Sequence, residues 1–157
     1  MTKRQKLTFV PVLVLAVFSL DLFIQAQSKP NMSGTWKMNA AKSKFEQSAP
    51  KAITIKLDHQ GSAMQEAFTL TNDQGELTVN FTYTLDGKES LQQLEGQTIK
   101  STAKWEGESL VIEFKDDQAF NFRRKLTLSA DGKTMTMDVK KSDPGGTAND
   151  FVVFEKQ

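Results

Sequence analysis

Arg124 stands in the run Phe122-Arg123-Arg124-Lys125-Leu126. If that run is extended, Arg124 is in phase with Phe122 and Leu126, and Arg123 falls one step out, toward solvent. A guanidinium on an apolar strand face matches a carboxylate through two parallel bonds. That carboxylate is either a ligand's or the protein's own. Glu66 is the protein's candidate, since it shares a face with Met64 and Phe68. It reads as a general base or as a structural partner of Arg124. Tyr83 comes near the end of Leu77, Val79, Phe81, Tyr83 and Leu85, an alternating run. Its hydroxyl can meet the same ligand or reach water at the rim of a core. Phe68, Phe81, Phe114, Phe120 and Phe122, with Met64, Met135 and Met137, make the inward face large and deformable. Such a face lines a lipid cavity or fills a core.

Other chemistry is largely excluded. With no cysteine there are no disulfides, thiol nucleophiles or zinc thiolate sites. The one histidine, His59 in Asp58-His59-Gln60-Gly61, has only Asp58 as a nearby companion and reads as a solvated turn residue. Asp116-Asp117 and Asp131-Gly132-Lys133 lack the ligand spacing of a calcium loop and read as turns. No nucleophile elbow, zincin motif, phosphate-binding glycine loop or dinucleotide fingerprint occurs. No cofactor or metal is expected. A formal net charge of +1 gives no footing for nucleic-acid binding.

These side chains need strands to position them. Ile53, Ile55 and Leu57 alternate with polar residues up to Gln60-Gly61. Phe68 and Leu70 precede Asn72-Asp73-Gln74-Gly75, and the run to Leu85 closes on Asp86-Gly87. Further runs end at Trp105, Phe114, Leu128, Val139 and Phe154, separated by Glu106-Gly107, Asp131-Gly132 and Asp143-Pro144-Gly145-Gly146. With the stretch around Trp36 this makes about nine strands. Ala40 to Phe45 is the best helix candidate, one or two turns with Asn39 as N-cap. Glu89 to Gly96 reads as a loop with Leu91 and Leu94 folded inward. Hairpin-length connections favour an antiparallel meander. A closed barrel and a two-sheet sandwich both fit the alternation, and connection length puts the barrel ahead. The expected fold is all-β, a single antiparallel up-and-down β-barrel of eight to nine strands with at most one short helix.

Residues 1–26 read as a secretory signal peptide. Lys3, Arg4 and Lys6 precede the apolar run Leu7 to Phe18, which is short of the about 20 residues of a membrane span. Ile24-Gln25-Ala26 offers a cleavage site. Removing three cations and Asp21 turns the formal charge from +1 to −1. Residues 27–32 then form a flexible leader and 33–157 the domain. A secreted or periplasmic location is expected, with no integral membrane span after cleavage and a monomer by default. Stability must then come from packing, without disulfides.

Ser33-Gly34-Thr35-Trp36 resembles the Gly-x-Trp opening of lipocalins. The longer stretches Ser33 to Phe45 and Leu126 to Thr136 resemble small exported bacterial lipocalin-like proteins of the calycin type. The resemblance implies an up-and-down barrel, often with a cup for a small apolar ligand. It implies that Trp36 plugs the closed end against a late-strand arginine, for which Arg124 is the candidate. A Thr-Asp-Tyr triplet and a C-terminal helix pattern are missing.

The expected function is binding of a small hydrophobic ligand inside the barrel without catalysis, with Trp36, Phe68, Phe81, Tyr83, Phe122 and Arg124 as its residues. The alternative is a solid barrel acting through loops such as Glu89 to Gly96 or Lys141 to Asn149, as a protein-binding inhibitor or envelope-assembly factor. A barrel-interior enzyme using Glu66 or Tyr83 with Arg124 is a third reading. Barrel width alone does not separate them, because about eight strands leave room for side chains or one small ligand.

Overall fold

A computed structural model describes residues 28–94, 96–115 and 121–157. Residues 1–26, read above as a signal peptide, Gln27, Asp116-Asp117 and Phe120 lie outside the described residues. The strands are β1 (Gly34–Met38), β2 (Ala52–Gln60), β3 (Ala63–Asn72), β4 (Gly75–Thr84), β5 (Asp86–Leu94), β6 (Gln97–Glu106), β7 (Ser109–Lys115), β8 (Asn121–Leu128), β9 (Thr134–Asp143) and β10 (Gly146–Lys156). They form one antiparallel sheet in the order β4-β3-β2-β1-β10-β9-β8-β7-β6-β5, curled into a nearly closed barrel. Its core includes Ile55, Met64, Leu110, Ile112, Leu126, Met135 and Phe154, all nearly fully buried. Each belongs to the apolar phase of its strand, so the period-two pattern is what selects the inner face.

The strand count is ten, one more than the upper bound expected. The extra strand is β5, where a loop was anticipated. It pairs with β6 from Glu89↔Thr102 to Leu94↔Gln97. Leu91, expected to fold inward, is 66% exposed, while Gln92 is buried. The short helix does form, as a 3-10 turn over Ala40–Lys42. The Asn39 side chain caps it by accepting from the Lys42 N–H at 3.1 Å. No helix among the described residues is long and apolar enough to cross a membrane.

Strands β4 and β5 follow one another in the chain yet form the two ends of the sheet. At this seam the Gln92 side chain takes the place of a backbone partner. Its Oε1 accepts from the Thr82 N–H at 3.3 Å, and its Nε2 donates to the Thr82 carbonyl at 2.7 Å. The same amide nitrogen donates to Ser101 Oγ at 2.9 Å. A carboxamide carries both a donor and an acceptor, which suits a backbone unit left open at a sheet edge.

On β1, Trp36 is fully buried. Its Nε1 donates to the Met32 carbonyl at 3.0 Å, and Met32, read above as the end of the leader, is itself buried. The cation over the Trp36 ring is Lys156, with Nζ 5.3 Å from the centroid, rather than Arg124. Lys156 lies directly across from Trp36 in the β1–β10 register. Gly34 makes this possible. Its φ is +143°, and a Cβ there would come within 2.7 Å of Lys156 Cε. The Gly-x-Trp spacing thus lets one residue clear the path for the lysine stem that covers the other.

His59 also departs from its expected turn position. It lies within the β2 ladder opposite Met64, with the turn beginning after Gln60. Its ring sits 5.9 Å from that of Trp105, and its Nδ1 accepts from the Met32 N–H at 3.4 Å.

Candidate ligand site

Glu66 on β3, Tyr83 on β4 and Arg124 on β8 all point into the barrel from different walls. Glu66 is paired with Phe81 across the β3–β4 ladder, and Arg124 with Ile112 and Val139 across its own. Alternation brings each side chain inward. Arg123, one residue out of phase, meets Glu106 at 3.1 Å and Glu113 at 3.4 Å on the outer surface.

Inside, Arg124 Nη1 donates to Glu66 Oε1 at 2.8 Å, and Nη2 to Oε2 at 2.7 Å. The Tyr83 hydroxyl donates to Glu66 Oε2 at 2.8 Å and accepts from Arg124 Nη2 at 2.9 Å. All three residues are at most 2% exposed. Both carboxylate oxygens and both Nη atoms are therefore committed within the protein. Arg124 Nε is buried without a hydrogen-bond partner among the described residues.

Three aromatic rings surround the guanidinium. Its carbon is 5.2 Å from the Phe114 centroid, 5.7 Å from that of Phe68 and 5.8 Å from that of Phe81. Cation–π attraction in a desolvated place helps hold the charge there. Burial alone would lower the Arg124 pKa, but the Glu66 carboxylate and Tyr83 together more than offset it and the guanidinium is held above its ordinary value. Burial, and next the Glu66 charge, push the Tyr83 hydroxyl well above its ordinary value against the opposing pull of Arg124. Tyr83 is thus a neutral donor at physiological pH, in place of the rim-facing hydroxyl weighed from sequence.

An apolar cavity of about 240 Å³ adjoins the ion pair. It is lined by Phe68, Leu70, Leu77, Val79, Phe81, Ile99, Phe114, Phe122 and Arg124. A wider cavity of about 530 Å³ shares Phe68, Leu70 and Phe122 with it. Its border includes Phe45, residues 47–50, residues 72–74, Lys141 and Asp150, so its outer part is polar. The two share one wall: the wider cavity is a polar-bordered mouth, and the narrower is an apolar throat with Arg124 among its lining residues.

No protein-family model matches the chain, and no curated protein does. Solved structures do. The REP1-NXSQ fatty acid transporter superposes with a TM-score of 0.60 at 15% identity, over 80% of this chain and 96% of the other. Zebrafish ileal bile acid-binding protein complexed with cholic acid gives 0.57 at 15% identity, over 80% and 98%. A SAHS protein from Ramazzottius varieornatus gives 0.61 at 12% identity, over 82% and 98%. The chain folds as a calycin-type barrel.

Within this calycin-type barrel the six residues expected to bind ligand separate into two places. Phe68, Phe81, Phe122 and Arg124 line the inner cavity. Tyr83 stands behind it, bonded to Glu66 and Arg124, and its ring stacks on Phe81 at 6.0 Å. Trp36 lines neither cavity. Leu70, Leu77, Val79, Ile99 and Phe114 complete the throat. The sequence carried their signal, because each shares the inward phase of a strand that also contributes a named phenylalanine or faces one. Gln92 was missed, since a glutamine among polar neighbours gives no period to follow.

Proposed function

We propose that this chain is an exported carrier that takes a small hydrophobic molecule into the barrel and performs no chemistry on it. The observation that carries this reading is the apolar throat joined to a wider, polar-rimmed mouth through Phe68, Leu70 and Phe122. The wider cavity falls within the range of about 300–1,000 Å³ usual for ligand pockets. Likeness of fold to a fatty acid transporter and a bile acid-binding protein supports the same reading. Both oxygens of Glu66 are bound, and the Tyr83 hydroxyl already donates to that carboxylate. Neither is placed as a free base, which speaks for binding over catalysis. Export rests on the charged, apolar and small-residue order of Met1 to Ala26.

Titration with an environment-sensitive fluorescent fatty acid tests the binding. Saturable uptake, weakened by Phe122→Asp and Phe68→Asp but not by Leu91→Asp on the outer surface, is expected. Absence of uptake of this dye and of uncharged apolar dyes sinks the reading. For export, the protein recovered outside the cytoplasm should begin near Gln27, and an intact N-terminus on recovered protein excludes cleavage there.

A further inference from the structure

We propose that the molecule held in the throat presents an uncharged oxygen acceptor to Arg124, as an ester or alcohol does, and not a free carboxylate. This rests on the throat being the ligand site and names the chemistry of what occupies it.

A carboxylate ligand would need the paired Nη donors of an arginine, because that fork is what matches its two oxygens. Here Glu66 already holds both, at 2.8 and 2.7 Å. A second carboxylate would arrive beside the Glu66 charge with no cation left to neutralise it, in a wall whose other lining residues are apolar. An ionised group desolvated without a partner is strongly disfavoured. What Arg124 still offers lies outside that fork: the second N–H of Nη1, and the N–H at Nε, which is buried and unpaired among the described residues. A donor outside the fork calls for a single acceptor. A carbonyl or hydroxyl oxygen satisfies it without adding charge, and the chain behind that oxygen meets Leu77, Val79 and Phe81.

The experiment compares lauric acid, methyl laurate and lauryl alcohol, three molecules with one chain and different heads. Displacement of an uncharged apolar dye from the purified protein is measured at a pH where laurate is ionised. Methyl laurate and lauryl alcohol are expected to bind at least about tenfold tighter than laurate, roughly 1.4 kcal/mol or more. In Glu66→Gln, which frees the guanidinium, the preference should narrow or reverse. The infrared carbonyl band of bound methyl laurate should lie below its position in hydrocarbon, as a hydrogen bond requires. Laurate binding tighter than both neutral molecules overturns the inference while leaving the throat as the ligand site, and so does a carbonyl band at the hydrocarbon position. If none of the three molecules nor the dye binds, the ligand-site reading fails and this inference with it. The wild-type comparison decides even if Glu66→Gln does not fold.

Discussion

Glu66 and Arg124 face each other from opposite walls of the barrel and join β3 to β8 through two parallel hydrogen bonds of 2.8 and 2.7 Å. Four other strands separate them along the sheet. The pair is thus a cross-brace through the interior, and the protein supplies both of its charges.

Breaking one side of such a brace leaves a buried charge alone. Arg124→Met and Glu66→Leu are each expected to lower stability by about 3–5 kcal/mol, while the double variant recovers most of that loss. Urea unfolding of the four proteins measures it. Additive losses would mean that the two side chains do not act as a pair.

The Tyr83 hydroxyl gives the stability a pH signature. Its folded pKa is raised, chiefly by burial and then by Glu66. The stabilisation is therefore complete below the unfolded value of about 10 and is lost as pH rises toward the folded value. Above about pH 10, unfolding free energy of the wild type should fall more steeply than that of Tyr83→Phe, by up to about 1.4 kcal/mol per pH unit. Parallel slopes for the two proteins would show that Tyr83 ionises normally.

On β1, Trp36→Ala should cost about 3–5 kcal/mol, as truncation of a buried aromatic does. Trp36→Phe keeps most of the volume but strands the Met32 carbonyl, at about 1–3 kcal/mol. Thermal or chemical melts separate the two. A near-neutral alanine variant would remove Trp36 from the role of plug.

How much of this could be read from residue order depends on what each contact requires. Alternation alone placed Phe68, Phe81, Phe122 and Arg124 inward, sent Arg123 outward and offered Glu66 as an inward anion. The hydrophobic effect writes that pattern directly into each strand. Lys156 over Trp36 needs the register between β1 and β10, which no local period encodes, and so residue order points to Arg124 instead. The strand β5 escaped for another reason. Its buried residue Gln92 serves the exposed backbone of β4, so polarity points in and Leu91 points out. His59 was assigned to a turn because Gly61 follows closely, whereas the ladder runs one residue past it to Gln60↔Ala63.

The seam offers a test of that account. Gln92→Leu keeps the approximate size but leaves the Thr82 N–H and carbonyl without their side-chain partner. A loss of about 1–3 kcal/mol is expected, with faster hydrogen exchange at Thr82 and little change along β9–β10. Unchanged exchange at Thr82 would show that the glutamine does not close the seam.

The sheet order also bears on how the protein folds. β1 to β4 and β5 to β10 are each a run of neighbouring hairpins, able to form from local contacts. What makes them one sheet is the β1–β10 ladder, which pairs Trp36 with Lys156 from opposite ends of the domain. That step has the largest loop-closure entropy in the molecule, so it should come late and set the folding rate. Cutting the chain at the Leu85 turn and tethering the ends beside β1 and β10 would make every ladder sequential. Such a circular permutant would keep the same barrel and reach it sooner.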